Sequence, residues 1–318
     1  MADNIESEQH DLLPLGKSEI STARRGLHQR GLELIGNLTK QNRIIYFPKD
    51  HSIGNLYFHG KEKWFGSDEN SVPPSQKLDA RGEVSIPSEV TYISLHIYDE
   101  HPSRLLPLSQ LNLGDLDGIL ISNGEVDDGE LKHVGRLTKL QDLDLSFCHK
   151  ITDYGFLHLQ NLTSLRSLGI LGTPIGDRGI GHLARLCSLE HLRLDMTRVS
   201  NFGLDTLKSF SSLRSCTIGR SDTVNDAGLI SLGQLTKLEN LALYHIKMSD
   251  VGLSHLRKMD SLRSLEIGYT EASDDGLEYL VELNNLSTLK LFGTSFTEAG
   301  LTRIKNALPN CSIYLSRE

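Results

Sequence analysis

The sequence predicts an α/β solenoid, a horseshoe with a parallel sheet along its concave side, helices along its convex side and a small N-terminal β-rich cap. Three observations predict it. The pattern L-x-x-L-x-L starts at Leu140, Leu165, Leu189, Leu213, Leu238, Leu262 and Leu286, at intervals of 25, 24, 24, 25, 24 and 24 residues. Each unit switches from a two-residue alternation to a three-residue step. The join has a fixed formula, Ile151-Thr152-Asp153-Tyr154-Gly155-Phe156 in one unit and Met248-Ser249-Asp250-Val251-Gly252-Leu253 in another. Self-similarity at a fixed period is the signature of stacked repeats.

Counting back 24 residues reaches Leu116-x-x-Ile119-x-Ile121 and then Tyr92-x-x-Leu95-x-Ile97. Nine coils are therefore expected from Tyr92 to about Asn310. The alternation Leu192-Arg193-Leu194 places apolar side chains on one face of a short strand. Strands are expected at Leu143–Leu145, Leu168–Ile170, Leu192–Leu194 and their equivalents. The step Ile180, Leu183, Leu186 lines one face of a helix, as do Leu204, Leu207, Phe210 and Leu253, Leu256, Met259. The polar residue before each helix reads as an N-cap, either Thr152 or Asp153 in that unit. One strand, turn and helix cannot bury its apolar face alone, so copies stack around a continuous core.

Residues 1–18 read as a disordered polar tail. Residues 19–90 read as an N-terminal helix and β cap, and 91–318 as the solenoid. The helix is expected over 19–40. Arg43 to Pro48 and Asn55 to Phe58 read as two short strands around a Lys49-Asp50 turn, with a further strand over 82–87. An exposed solenoid end needs such a cap.

The run Leu143-Asp144-Leu145-Ser146-Phe147-Cys148-His149-Lys150-Ile151-Thr152-Asp153 resembles the cysteine-containing subclass of leucine-rich repeats, typical of F-box substrate-recognition proteins. Units with Thr173, Thr197, Ser221, Thr270 or Thr294 in place of Cys148 resemble the 24-residue repeats of planctomycete bacterial proteins of unknown function. The resemblance covers roughly residues 90–311. It implies the leucine-rich repeat solenoid and a role in binding, on a scaffold that hosts many partners. In such repeats the small polar side chain bonds backbone where the strand turns away, and Ile246 departs from that column.

The chain has 318 residues, with 41 acidic and 33 basic side chains and a net charge of −8. That balance speaks against nucleic acid and anionic membrane as partners. No secretory leader is read at the start, and no apolar run approaches a membrane span of ~20 residues. Cys148, Cys187, Cys216 and Cys311 are too scattered for a disulfide framework. A cytoplasmic setting is expected. No catalytic residue, metal site or cofactor is expected either. His133, His158, His182 and His255 share one helical slot through repeat ancestry. The column Asp128, Asp153, Asp177, Asp226, Asp250 and Asp274 lacks a calcium loop and is accounted for by helix capping. Arg166, Glu190, Arg214, Glu239 and Arg263 alternate in sign and are expected to form an ion-pair ladder between coils.

Function is expected on the concave face. Early coils present small groups such as Ser167 and Gly169. Later ones present Arg193, Asp195, Tyr244, His245, Glu266, Tyr269, Lys290 and Phe292, residue types rich in binding energy. Tyr244 and Phe292 share one strand position two coils apart. The expected function is a non-catalytic scaffold binding a protein partner there. Two alternatives are an F-box-like substrate-recognition subunit of a ubiquitin-ligase complex, and a targeting arm for a small enzymatic or regulatory N-terminal domain.

Overall fold

The computed structural model describes residues 43–49, 52–59, 76–86, 90–98, 105–122, 124–293 and 295–316. The expected tail over 1–18 and helix over 19–40 lie outside them. The chain divides into two units, residues 1–44 with 85–88 and residues 45–84 with 89–318. The whole repeat array belongs to the second.

Ten parallel strands stack in sequence order: β5 (Tyr92–Tyr98), β6 (Gly118–Ser122), β7 (Asp142–Asp144), β8 (Ser167–Gly169), β9 (His191–Arg193), β10 (Ser215–Asn225), β11 (Asn240–Lys247), β12 (Ser264–Gly268), β13 (Thr288–Phe292) and β14 (Ser312–Ser316). The leucine-rich repeat solenoid is thus the observed fold. Short strands begin one residue earlier than the leucine alternation indicates. The ladder still runs on past them, since the Leu194 N–H donates to the Thr217 carbonyl at 2.9 Å. The tenth strand lies beyond the nine expected coils. It escaped the pattern because Asn310 stands 24 residues after Leu286, where the first leucine belongs.

The N-terminal strands pair differently from the expected hairpin. β1 (Arg43–Tyr46) pairs with β4 (Glu83–Ile86), and β2 (Asn55–His59) pairs antiparallel with both β3 (Gln76–Asp79) and β5. The turn that matters is at Gly82, whose φ of +63° admits a tight reversal. The Phe47 N–H donates to its carbonyl at 2.7 Å, and its own N–H donates to the Pro48 carbonyl at 2.9 Å. The sheet therefore continues past the first repeat strand into β2 and β3.

The pattern leucines form the core. Leu189, Leu192 and Leu194 are at most 2% exposed, and Leu238, Leu262 and Leu265 are fully buried. Truncating one such leucine costs ~2–5 kcal/mol. Cys148 fits its column by donating to the Ile121 carbonyl at 3.3 Å. Thr173 and Thr197 donate to Ile170 and Leu194. The Thr270 hydroxyl has no partner. The charge ladder is only partly joined: Arg166 pairs with Glu190 at 3.3 Å, and Glu239 receives both Arg214 and Arg263.

The aspartate column does not cap the helices as expected. The caps are the preceding residues, Thr152, Ser200, Ser249 and Ser273, each accepting from an N–H two residues on. The residue that follows, Asn201 after Ser200 and an aspartate after the other three, clamps the next coil. Asp250 accepts the Ser273 N–H and hydroxyl, both at 2.7 Å, and Asp274 accepts those of Thr297 at 2.8 and 2.5 Å. Each hydroxyl thus donates to the previous coil while accepting from its own helix. The glycine of the D-x-G formula follows from the same clamp. A Cβ at Gly276 or Gly300 would collide with the Asp250 or Asp274 carboxylate of the preceding coil.

A last fold-wide feature lies where each strand turns away. Phe147, Gly172, Met196, Arg220, His245, Tyr269 and Gly293 recur at the repeat interval and all have φ between +49° and +69°. Side-chain-bearing residues hold that left-handed conformation at a cost of ~1–2 kcal/mol each, and glycine holds it freely.

Candidate concave-face binding site

Strand register brings the relevant side chains into rows across the sheet. Thr217 pairs with Arg193, Gly219 with Tyr244, Tyr244 with Gly268, and Gly268 with Phe292. Continued by one coil, the row reads Asp195, Gly219, Tyr244, Gly268, Phe292. Strands ~4.8 Å apart leave no width for a flat ring on every coil. The glycines make the width: the Tyr244 ring lies over Gly219 and the Phe292 ring over Gly268, where any Cβ would strike them.

Tyr244 reaches across Gly219 and donates its hydroxyl to Asp195 Oδ1 at 2.5 Å, two coils away. Asp195 departs from the expected solvent-facing side chain, being 1% exposed. Its Oδ2 has no hydrogen-bond partner, and the Arg193 Nε stands 3.9 Å from it. Burial raises the Asp195 pKa above the ordinary carboxylate value, against the opposing pull of Tyr244 and Arg193. Burial and the adjacent carboxylate likewise raise that of Tyr244. A second strap of the same kind lies on the early coils, where Tyr92 crosses Gly118 and donates to Asp142 at 2.7 Å. Those coils are therefore not featureless. For the Tyr244 strap the signal is present in the sequence as Asp, Gly and Tyr at coil spacing, hidden because the glycine reads only as smooth surface, whereas Tyr92 stands two residues before Ser94, the register partner of Gly118.

The aromatic residues do come together. His245 and Tyr269 stack with centroids 4.1 Å apart and planes 7° apart. Tyr244 meets His245 edge-on at 6.4 Å, and Tyr269 meets Phe292 edge-on at 5.8 Å. Tyr269 is 41% exposed, His245 is exposed, and Tyr244 and Phe292 are half-buried. Such ring contacts are worth ~0.5–1.5 kcal/mol each beyond the area they bury. Glu266 and Lys290 are spent on each other at 2.7 Å. Beside the rings, His191, Arg193, Thr217, Ala242, Tyr244 and Glu266 line an open concavity of about 550 Å³.

The thiol of Cys216 lies beneath this floor, and burial raises its pKa. A thiol held protonated is a poor nucleophile. Among the described residues, no three His, Cys, Asp or Glu side chains converge as metal ligands would. Nor is any described helix long and apolar enough to cross a membrane.

No protein-family profile matches the sequence, and no curated protein matches it significantly. Solved structures do resemble it. An internalin, InlF, from Listeria monocytogenes superposes with a TM-score of 0.52 at 22% identity, over 69% of this chain and 66% of that one. The chain therefore spans just under two thirds of that internalin's length. Internalin C2 of the same organism gives 0.45 at 20% identity, over 70% of this chain and 80% of that one. The plant peptide hormone receptor RGFR1, solved in complex with RGF2, gives 0.40 at 16% identity, over 58% and 30%. At such identity, what the InlF likeness establishes is the fold: this chain is a leucine-rich repeat solenoid.

Proposed function

We propose that the chain is a non-catalytic protein-binding scaffold whose partner docks on the concave face where β9 to β13 end. The observation that carries this reading is the ring cluster of Tyr244, His245, Tyr269 and Phe292. It is exposed enough to be covered, yet held by stacking and by the Tyr244–Asp195 bond. Rigid aromatic anchors bury large area at low entropy cost, and preorganisation limits what binding loses to ordering. A cytoplasmic setting belongs to the same proposal and is supported by four unbridged cysteines. The ubiquitin-ligase alternative is less well supported, since Arg43–Tyr46 and Asn55–His59 are strands where an F-box requires helices.

The test is affinity capture on the full chain, with partners identified by mass spectrometry, then repeated with a His245→Ala, Tyr269→Ala, Phe292→Ala variant. Tyr244 is left in place because its loss would strand Asp195. The variant should keep the wild-type circular dichroism spectrum. Two hot spots of ~2 kcal/mol correspond to a loss of more than about 100-fold in partner affinity. Undiminished capture by a folded variant would remove the site from this face.

A further inference from the structure

The left-handed residues at the strand exits point to the chemistry of the partner. In a turn that glycine fills most easily, five of the seven positions carry Phe147, Met196, Arg220, His245 and Tyr269. All five are exposed. Backbone strain of this kind persists where the surrounding structure over-determines it, and such outliers gather at binding sites. Gly172 and Gly293, on the same row, show that the turn itself does not require a side chain.

Charge selects the occupant. The side chains two residues beyond the central positions are Arg198, Asp222 and Lys247, all exposed. With Arg220 they place three cations against one carboxylate over three successive coils, and the Tyr269 coil adds a second carboxylate at Glu271, on a chain whose net charge is −8. Among the described residues, none of Arg198, Arg220 and Lys247 has a carboxylate within 4.0 Å, whereas Arg193, Lys290 and Lys150 each do. The Arg220 guanidinium rests instead against the Met196 sulfur, 3.8 Å away. These cations, of which Arg220 also acts on the Asp195 carboxylate from beyond that distance, alternate with the stacked His245–Tyr269 pair and the Met196 thioether.

We propose that this ridge binds an acidic polypeptide segment lying across the coils, its carboxylates on Arg198, Arg220 and Lys247 and its apolar side chains on Met196, His245 and Tyr269. The inference rests on the scaffold reading above and names the partner's chemistry. A polypeptide fits better than a nucleic-acid strand because Asp222 and Glu271 stand among the cations. They would repel an unbroken row of phosphates, while a peptide can place neutral residues opposite them.

The experiment uses the full chain and three dye-labelled probes followed by fluorescence anisotropy: a 12-residue peptide alternating Glu and Tyr, the same peptide with Lys for Glu, and a single-stranded oligo-dT. The Glu–Tyr peptide should bind and weaken as salt is raised, while the Lys–Tyr peptide should not bind. An Arg198→Glu, Arg220→Glu, Lys247→Glu variant should lose at least about tenfold in affinity for it. A matched Arg185→Glu, Lys237→Glu, Lys258→Glu variant, on loops that lead into the strands, should bind as wild type does. Equal binding by the two variants, no binding by wild type, or oligo-dT binding as tightly as the acidic peptide would overturn the proposal. So would a change in sedimentation on charge reversal of the ridge, which would make a second copy its occupant. If capture of the natural partner depends on Tyr269 and Phe292 but not on the three cations, the scaffold reading stands and only the acidic assignment falls.

Discussion

Asp274 and Asp195 are both reached by a residue from another coil, one on the convex side and one at the end of β9, and their surroundings differ. Asp274 has both oxygens occupied by the Thr297 amide and hydroxyl, with Arg303 at 3.8 Å. Asp195 is more deeply buried and has one oxygen satisfied. A closed set of charge-assisted bonds stabilises the stacking of coils, whereas a half-satisfied buried carboxylate is expensive. The convex clamp reads as architecture. The concave cluster keeps a cost that the fold alone does not explain, and it lies next to the exposed rings and the strained strand exits.

The largest effect should come from breaking the clamp. Asp274→Ala removes two bonds to the exposed Thr297, whose donors water can then take, and should cost about 1 kcal/mol in urea unfolding. Gly300→Ala sharpens the point, because the atoms nearest a Cβ there all belong to Asp274. In the wild-type background it should destabilise by ~1–3 kcal/mol through overpacking. In the Asp274→Ala background the collision is gone and only helix propensity remains, so the same change should stabilise by up to ~1 kcal/mol. A cycle that is additive, with no reversal of sign, would mean the D-x-G glycine is kept for another reason.

A smaller, pH-dependent effect separates the two aspartates. Partial burial pulls the Asp274 pKa up, but the Thr297 hydroxyl and amide with Arg303 outweigh it and hold it below the ordinary value. Its stabilisation is therefore present above the unfolded value of about 4 and is lost as pH falls through the folded one. Asp195 has the opposite sign. Its raised pKa means a contribution present below about 4 and lost as pH rises through the folded value. Asp274→Asn should thus be less stable than wild type at pH 7, the gap closing in acid. Asp195→Asn should be nearest to or above wild type at pH 7 and fall behind as pH drops. Parallel profiles for the two variants in urea titrations from pH 7 to 3 would show that the carboxylates do not differ as their surroundings imply.

Part of this contrast is legible in the amino-acid sequence. The leucine period yields the strands, the core and the coil count to within one, because burial repeats with the backbone. The D-x-G formula is visible, but its meaning is not: Asp250 and Gly276 lie a coil apart, and capping chemistry reads only local sequence. Counting aligns Tyr244 with Phe292. The same counting puts Asp195 in solvent, because it gives the face of a strand and not what lies over it. The left-handed turns carry no sequence signal, since Phe147, Met196 and Arg220 are poor choices for that conformation.

The smallest effect tests those turns. At Met196, with φ of +55°, alanine keeps the backbone strain and discards the side chain, while glycine removes both. Glycine also frees the unfolded chain, which offsets part of the relief. Met196→Gly should therefore unfold within ~0.5 kcal/mol of wild type and be more stable than Met196→Ala by up to ~1 kcal/mol. At Gly172, with φ of +69° and the Phe147 ring against it, alanine should cost ~1 kcal/mol or more. If Met196→Gly instead loses as much as a core truncation, the thioether is part of the packing and its strain needs no ligand to account for it. If the glycine variant is as stable as wild type, the fold has no use for the side chain. The strain at that exit is then carried for what the side chain presents beside Arg220 and His245, which is the surface the acidic probe tests.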